Sequence, residues 1–200
     1  RIPPPPPKPY KSHLQYFDKS LDCVGKHMND EILDLVNKFD QVIGTIKRSQ
    51  LNEVKQKNLG YFRASDLFII NNDGKLWIPT RTATKKIAPN AYDFSAAGHV
   101  SAGEDYLETI IRETKEEINL NITESELEFI AKFVSPELHY IDSIFLLRSD
   151  KTPTHNPSDF ASAEWLTPQA LLANIANGHK TKSSLPIFVN ILQQYLSKNI

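Results

Sequence analysis

Cysteine is almost missing from this chain: among 200 residues only Cys23 occurs, which excludes an internal disulfide framework and a cysteine-based zinc site. Methionine is as scarce, with Met28 alone. An excess of one charge sign is also absent. The 23 basic and 24 acidic residues leave a formal net charge of -1 and a pI near 6.7. No global field therefore draws a nucleic acid polymer or an acidic membrane surface to the protein. No apolar run approaches the roughly 18 residues of a membrane span. The opening residues, Arg1-Ile2 followed by five prolines, contain no apolar segment of the signal-peptide kind, so a reducing cytoplasm is the simplest compartment.

What remains is the composition of a globular protein, 40% apolar and 24% charged. Residues 1–27 begin PPPPPKPY, which favours polyproline II and cannot form a helix or an interior strand. They read as a flexible or non-native extension, or as a ligand for a proline-binding domain, and Met28 is a candidate natural start. Residues 28–60 hold EILDLV and QVIGTI around a polar turn, a hairpin pattern that can pair within the chain or across a homodimer. A short helix over Ser49–Gln56, capped by Ser49, is expected next. Residues 61–197 form the main domain. ASDLFII and KLWIPTR flank an Asp73-Gly74 turn and predict a second hairpin. LEFIAKFVS, YIDSIFLLRS and SAEWLT predict three further strands. Pro168–Ala176, capped by Thr167, and Leu185–Leu196 predict two helices. Strand pairs alternating with separated helices indicate an α+β fold.

The stretch from Gly98 to Leu120 is the most informative. Leu107, Ile110, Ile111, Thr114 and Ile118 fall on one helical stripe that faces a core. Glu113, Glu116 and Glu117 gather on its flank, where like charges repel by roughly 0.2–0.5 kcal/mol per pair. A self-repelling cluster points to a cation, although a solvated helix face would show the same spacing. Ser101 through Glu104 fits a capping box, which gives Glu104 a structural reading. Gly98 and Gly103 permit tight backbone, either as plain turns or with amides facing phosphate. Upstream, Arg81, Lys85 and Lys86 form a basic loop that is either a solvated charge run or a phosphate contact. His139, His155 and His179 have no interpretable spacing.

The segment resembles the Nudix box through Gly98, Glu104, Arg112, Glu113, Glu116 and Glu117, followed by Asn119 and Leu120. Two positions depart from the pattern. Asn119 stands in place of glycine, where a left-handed helix end accepts asparagine best among non-glycine residues. Thr114 replaces an aliphatic residue on the core stripe. The flanking RTATKKIAPNAYDFSAAGHV and SAEWLTPQAL extend the resemblance to the subgroup similar to isopentenyl-diphosphate isomerase. That resemblance implies a Nudix fold, a mixed sheet between helices with an N-terminal hairpin extension. It also implies Mg²⁺ or Mn²⁺ and a small-molecule diphosphate substrate cleaved by water attack. Glu113, Glu116 and Glu117 are then metal ligands, Glu116 or an outer carboxylate polarises the water, and Arg112 orients a ligand carboxylate. Gly98, Gly103 and Glu104 support the box, and His99 is a candidate metal or phosphate contact. The isomerase subgroup carries a cysteine where this chain has Ala97. Near FVSPELHYIDSIF only Glu137 and His139 are offered for its additional metal ligands, so isomerisation is not expected. A non-catalytic nucleotide-sensing module of the same fold is the reading outside enzymology.

Overall fold

A computed structural model describes residues 30–198. Cys23, Met28 and the proline-rich residues fall outside them. Strands β1 (Ile32–Val36) and β2 (Val42–Lys47) form an antiparallel pair. A short 3-10 turn, Arg48–Gln50, leads into helix α1 (Leu51–Lys57). The helix begins after Gln50, not at Ser49. The Ser49 hydroxyl and amide are both given to Asp30, at 2.5 and 3.1 Å, so that side chain is unavailable as a cap.

The main sheet has the path β6 (Leu127–Ser135), β7 (Tyr140–Arg148), β3 (Phe62–Ile70), β4 (Leu76–Arg81) and β8 (Phe160–Leu166). Strand β5 (Ala96–His99) pairs with β3 off this path. The sheet is mixed, since β3 runs parallel to β7 and antiparallel to β4 and β5. The Asp73-Gly74 turn does connect β3 to β4, but their pairing is recorded at Ile70 and Leu76 alone. Beyond that point β5 takes the place beside β3, from Leu67↔Ala96 to Ala64↔His99. Sequence patterning missed β5 because AAGH has neither β-branched nor alternating residues.

Helices cover both faces, as the period-2 alternation of β3 and β7 requires. Leu67, Ile69, Phe145 and Leu147 pack with Ile110 and Ile118 of α2 (Tyr106–Ile118). Phe68, Ile70, Ile144 and Leu146 pack with Leu171 of α3 (Pro168–Ala176) and with Leu185, Phe188, Val189 and Leu192 of α4 (Leu185–Lys198). The N-terminal hairpin has its own small core, Leu33, Ile46 and Val54. A charge knot ties it down: Arg63 lies 3.7 Å from Asp34 and 3.1 Å from Asp40, and the Tyr106 hydroxyl reaches both Asp40 oxygens at 3.0 Å. No helix among the described residues is long and apolar enough to cross a membrane.

One buried pair breaks the apolar pattern. Asp66 of β3 and Asp142 of β7 are both buried and hydrogen-bonded to each other. Burial, followed by the charge of Asp142, pushes the Asp66 carboxyl well above its usual range, and burial pushes Asp142 up to about 7. A carboxyl with a folded pKa above its unfolded value binds more protons in the native state, so stability falls as pH rises. For Asp142 the window runs from the ordinary value of 3.8 up to about 7. Thermal melts of the metal-free protein are therefore expected to lose stability across that window, by at most about 1.4 kcal/mol per pH unit for one such group. Asp142→Asn should flatten the profile. Equal slopes in the two proteins would rule this origin out.

Candidate active site

Helix α2 begins at Asp105, whose side chain accepts from the amides of Leu107 and Glu108 at 2.9 and 2.8 Å, while Glu108 returns a bond to the Asp105 amide. This is the capping box, at Asp105–Glu108 and so four residues beyond the Ser101–Glu104 frame suggested by sequence. Glu104 is left free for Arg112, whose Nε and Nη2 meet its two oxygens at 3.0 Å each. Arg112 and Glu104 thus form a bidentate pair. At the other end Asn119 adopts φ 52 and ψ 30 in the left-handed region, and its side-chain amide donates to the Thr154 carbonyl at 2.8 Å. Thr114 is buried with its hydroxyl donated to the Ile110 carbonyl at 2.6 Å, so the polar atom in the core stripe is satisfied.

The helix presses its carboxylates onto β5. A Cβ added to Gly98 would lie 2.0 Å from Glu113 Oε1 and 2.2 Å from its Cδ, so only glycine fits opposite this side chain. Gly98 therefore serves close approach within a strand, not a turn. The Ala97 amide donates to Glu117 Oε2 at 3.0 Å. Gly103 does have a turn conformation, φ 85, but its amide points to Asp34 at 3.3 Å, away from any phosphate role. Arg112 Nη1 reaches Glu113 at 2.7 Å and Glu116 at 3.2 Å. Glu116 is the exposed member, with 58% of its side chain accessible against 14% for Glu113.

This proximity has an electrostatic cost. Burial, then Asp93 and Glu113, push Glu117 up to about 8, against the opposing Ala97 amide and Lys182. Burial likewise raises Glu113, although Arg112 works against it. The Glu104 carboxylate is held low by Arg112. Burial opposes the charge on Arg112 itself, but Glu104 and Glu113 more than offset it and keep the guanidinium protonated. Two carboxylates held above their ordinary range beside one another favour a proton or a cation between them.

The carboxylates line a cleft of about 450 Å³ whose other walls include Glu31, Arg48, Lys85, Ala97, His99, Asn156 and Asp159. Of the three basic residues suggested by sequence, Lys85 reaches this cleft and pairs with Asp159. Arg81 does not: its guanidinium is spent on Asp93 at 2.5 Å and on the Ile87 carbonyl at 3.0 Å. Lys86 is exposed and away from the lining. Arg48 was missed, because the segment after β2 reads as the start of a helix and its contact with Glu31 at 3.0 Å spans the hairpin. His99 sits at the end of β5 instead of in a loop, and burial, followed by Arg48 and Lys182, depresses its pKa to about 3. Its imidazole is neutral. His139, His155 and His179 lie against Tyr61, Trp77 and Tyr92 respectively, outside the cleft lining.

Among the described residues, no group of three His, Cys, Asp or Glu side chains is arranged to hold a metal ion. The donor chemistry nevertheless suits Mg²⁺ or Mn²⁺, hard cations that prefer carboxylate oxygen. Mg²⁺ commonly uses one or two carboxylates and completes its shell with water and substrate phosphate instead of a protein cage. Glu113 and Glu117, raised in pKa and held against the β5 backbone, are donors of that kind.

Comparison with known proteins agrees with this arrangement. The NUDIX domain model matches residues 60–185. A Nudix hydrolase from Deinococcus radiodurans is 41% identical over 161 residues, covering 79% of this chain and 91% of the relative. Isopentenyl-diphosphate Delta-isomerase 2 from Photorhabdus laumondii is 31% identical over 153 residues, covering 74% of this chain and 84% of that protein. A crystal structure of a Deinococcus radiodurans protein superposes with a TM-score of 0.71 at 40% identity, covering 80% of this chain and 98% of that one. With its mixed sheet between helices, its carboxylate helix against β5 and these relatives, the chain belongs to the Nudix hydrolase family.

Proposed function

We propose that the protein hydrolyses the diphosphate linkage of a nucleoside diphosphate derivative by water attack, with Mg²⁺ or Mn²⁺ bound through Glu113, Glu116 and Glu117. The observation that carries this reading is the placement of Glu113 and Glu117 against the backbone of Gly98 and Ala97, inside a cleft that also presents Arg48 and Lys85. A bound cation supplies charge neutralisation for the phosphates and acidifies coordinated water. The residues of the chain do the rest. Arg112 fixes Glu113 and Glu116 through one nitrogen while Glu104 clamps its other two. Glu116, exposed at the mouth, accepts the proton of the attacking water. Arg48 and Lys85 offer positive charge to phosphate oxygens from two sides, and Lys85 is released from Asp159 to do so.

Isomerisation of isopentenyl diphosphate is not proposed, because Ala97 offers no thiol where that subgroup carries cysteine. Glu137 is an exposed turn residue, not a cleft donor. The named activity of the Photorhabdus relative therefore does not transfer with its 31% identity.

A panel of nucleoside diphosphate derivatives assayed with Mg²⁺ and with Mn²⁺ checks the reaction. Release of phosphate or nucleoside monophosphate is expected, and tight binding without turnover across the panel would favour a sensing module. Glu116→Gln and Glu117→Gln should each lower turnover at least tenfold with an unchanged circular dichroism spectrum; wild-type rates in both would refute the assignment. Gly98→Ala should lower turnover at least tenfold as well, since its methyl group displaces Glu113. Retained activity in that variant would show that Glu113 has no need of its place against β5.

A further inference from the structure

Every arginine and lysine that lines the cleft already holds a carboxylate. The walls carry Arg48, Lys85 and Arg112 against Glu31, Glu113, Glu116, Glu117 and Asp159. Arg48 lies 3.0 Å from Glu31, Arg112 is shared among Glu104, Glu113 and Glu116, and Lys85 is paired with Asp159. A phosphate entering the cleft therefore has to take a cation away from the carboxylate that holds it.

The three pairs differ in what such an exchange disturbs. Arg112 is clamped by both oxygens of Glu104 and steadies Glu113, so moving it would unseat the acidic flank of α2. Arg48 stands largely in water, with 54% of its side chain accessible, and a pair so exposed is screened and weak. Lys85 and Asp159 keep only 27% and 20% accessible, where screening is less. Theirs is the pair that a ligand can break without dismantling the site and that still competes with the ligand.

Main chain delivers both partners to the same spot on the cleft wall. The Asn156 amide donates to the Glu117 carbonyl at 2.7 Å, which hangs the following turn from the end of α2. Within that turn the Asn156 side-chain oxygen accepts the Ser158 amide at 3.1 Å, and the Asp159 amide donates to the Asn156 carbonyl at 2.9 Å. Thr82 sets Lys85 beside it: the Thr82 amide donates to the Asp159 carbonyl at 3.2 Å, and its carbonyl accepts the Lys85 amide at 3.3 Å. The Ser158 hydroxyl donates to Asp159 Oδ2 at 3.2 Å and leaves Oδ1 for the lysine. An ammonium group meets in this carboxylate what it would meet in a phosphate, an anionic oxygen at hydrogen-bond range.

We propose that Asp159 is a positioning residue that acts through Lys85: its carboxylate stands in for phosphate on the lysine, and a ligand gains Lys85 only by displacing it. This rests on the phosphate contact assigned to Lys85 above and deepens that reading. A displaced carboxylate stays close to the phosphate that replaced it, and the two repel. A small free anion thus gains little from Lys85, and the cleft does not retain it.

Calorimetric titration of the full chain with inorganic pyrophosphate in EDTA tests this without metal or turnover. Asp159→Asn removes the competing charge and is expected to bind pyrophosphate at least about fivefold more tightly than the wild type, a gain that damage to the fold does not produce. In a Lys85→Met background the same substitution should give less than about a twofold gain, because only relief of repulsion is left. No gain in Asp159→Asn would overturn the proposal. Equal gains in the two backgrounds would overturn it as well, since they would show a general effect of charge. Asp159→Ser leaves the main-chain bonds of the turn in place and supplies the same readout should the asparagine variant fold poorly. A Lys85-dependent gain in a chain that turns over no nucleotide would leave the pair standing and remove the hydrolytic reading, whereas turnover without the gain would do the reverse.

Discussion

The approach of helix α2 to strand β5 depends on a missing side chain. Gly98 lets Glu113 occupy the space in which any other residue would place its Cβ, and the neighbouring Ala97 amide holds Glu117. Glu117 is thereby fixed to main chain, which has fewer ways to move than another side chain would, while Glu113 packs against the same strand and is held by Arg112. The apolar stripe of α2, anchored by Ile110 and Ile118 in the core, sets the distance of this approach. Packing on one side of the helix and backbone contact on its flank thus act together to position the acidic groups.

Strand β5 is also the divide between two kinds of chemistry. On the α2 side stand carboxylates, with Arg112 shared among three of them. On the α4 side stand aromatic rings and a proton-sharing acid pair. A strand only four residues long can do this because successive side chains alternate faces, so Gly98 and its neighbours Ala97 and His99 serve opposite surfaces. Its small residues leave room on both.

Much of this was legible in the sequence. Helix α2, its acidic flank and the helices after Thr167 follow from periodicity and capping chemistry, which are local properties. Asn119 was likewise readable, since a left-handed helix end has few acceptable residues. What sequence obscured depends on long-range contact. The bidentate Glu104–Arg112 pair gave way, in a reading by spacing, to a nearer capping motif. Arg81 resembled a phosphate ligand until Asp93, twelve positions along, was seen to hold it. Strand β5 carries no β-propensity of its own and exists because β3 offers it an edge. The acid pair joins strands separated by most of the domain, so no motif could announce it.

The hairpin has a separate consequence. Glu31 and Arg48 belong to a two-stranded sheet with its own small core, held to the rest by the Asp34, Asp40 and Arg63 knot, yet both border the cleft. The cleft is thus assembled from two packing units with unequal freedom to vary. Exchanging Arg48 changes the charge of the opening at a solvent-facing position, whereas exchanging Gly98 or Glu113 disturbs helix and sheet together. Divergence among chains of this design has a place to accumulate at the rim while the floor stays the same.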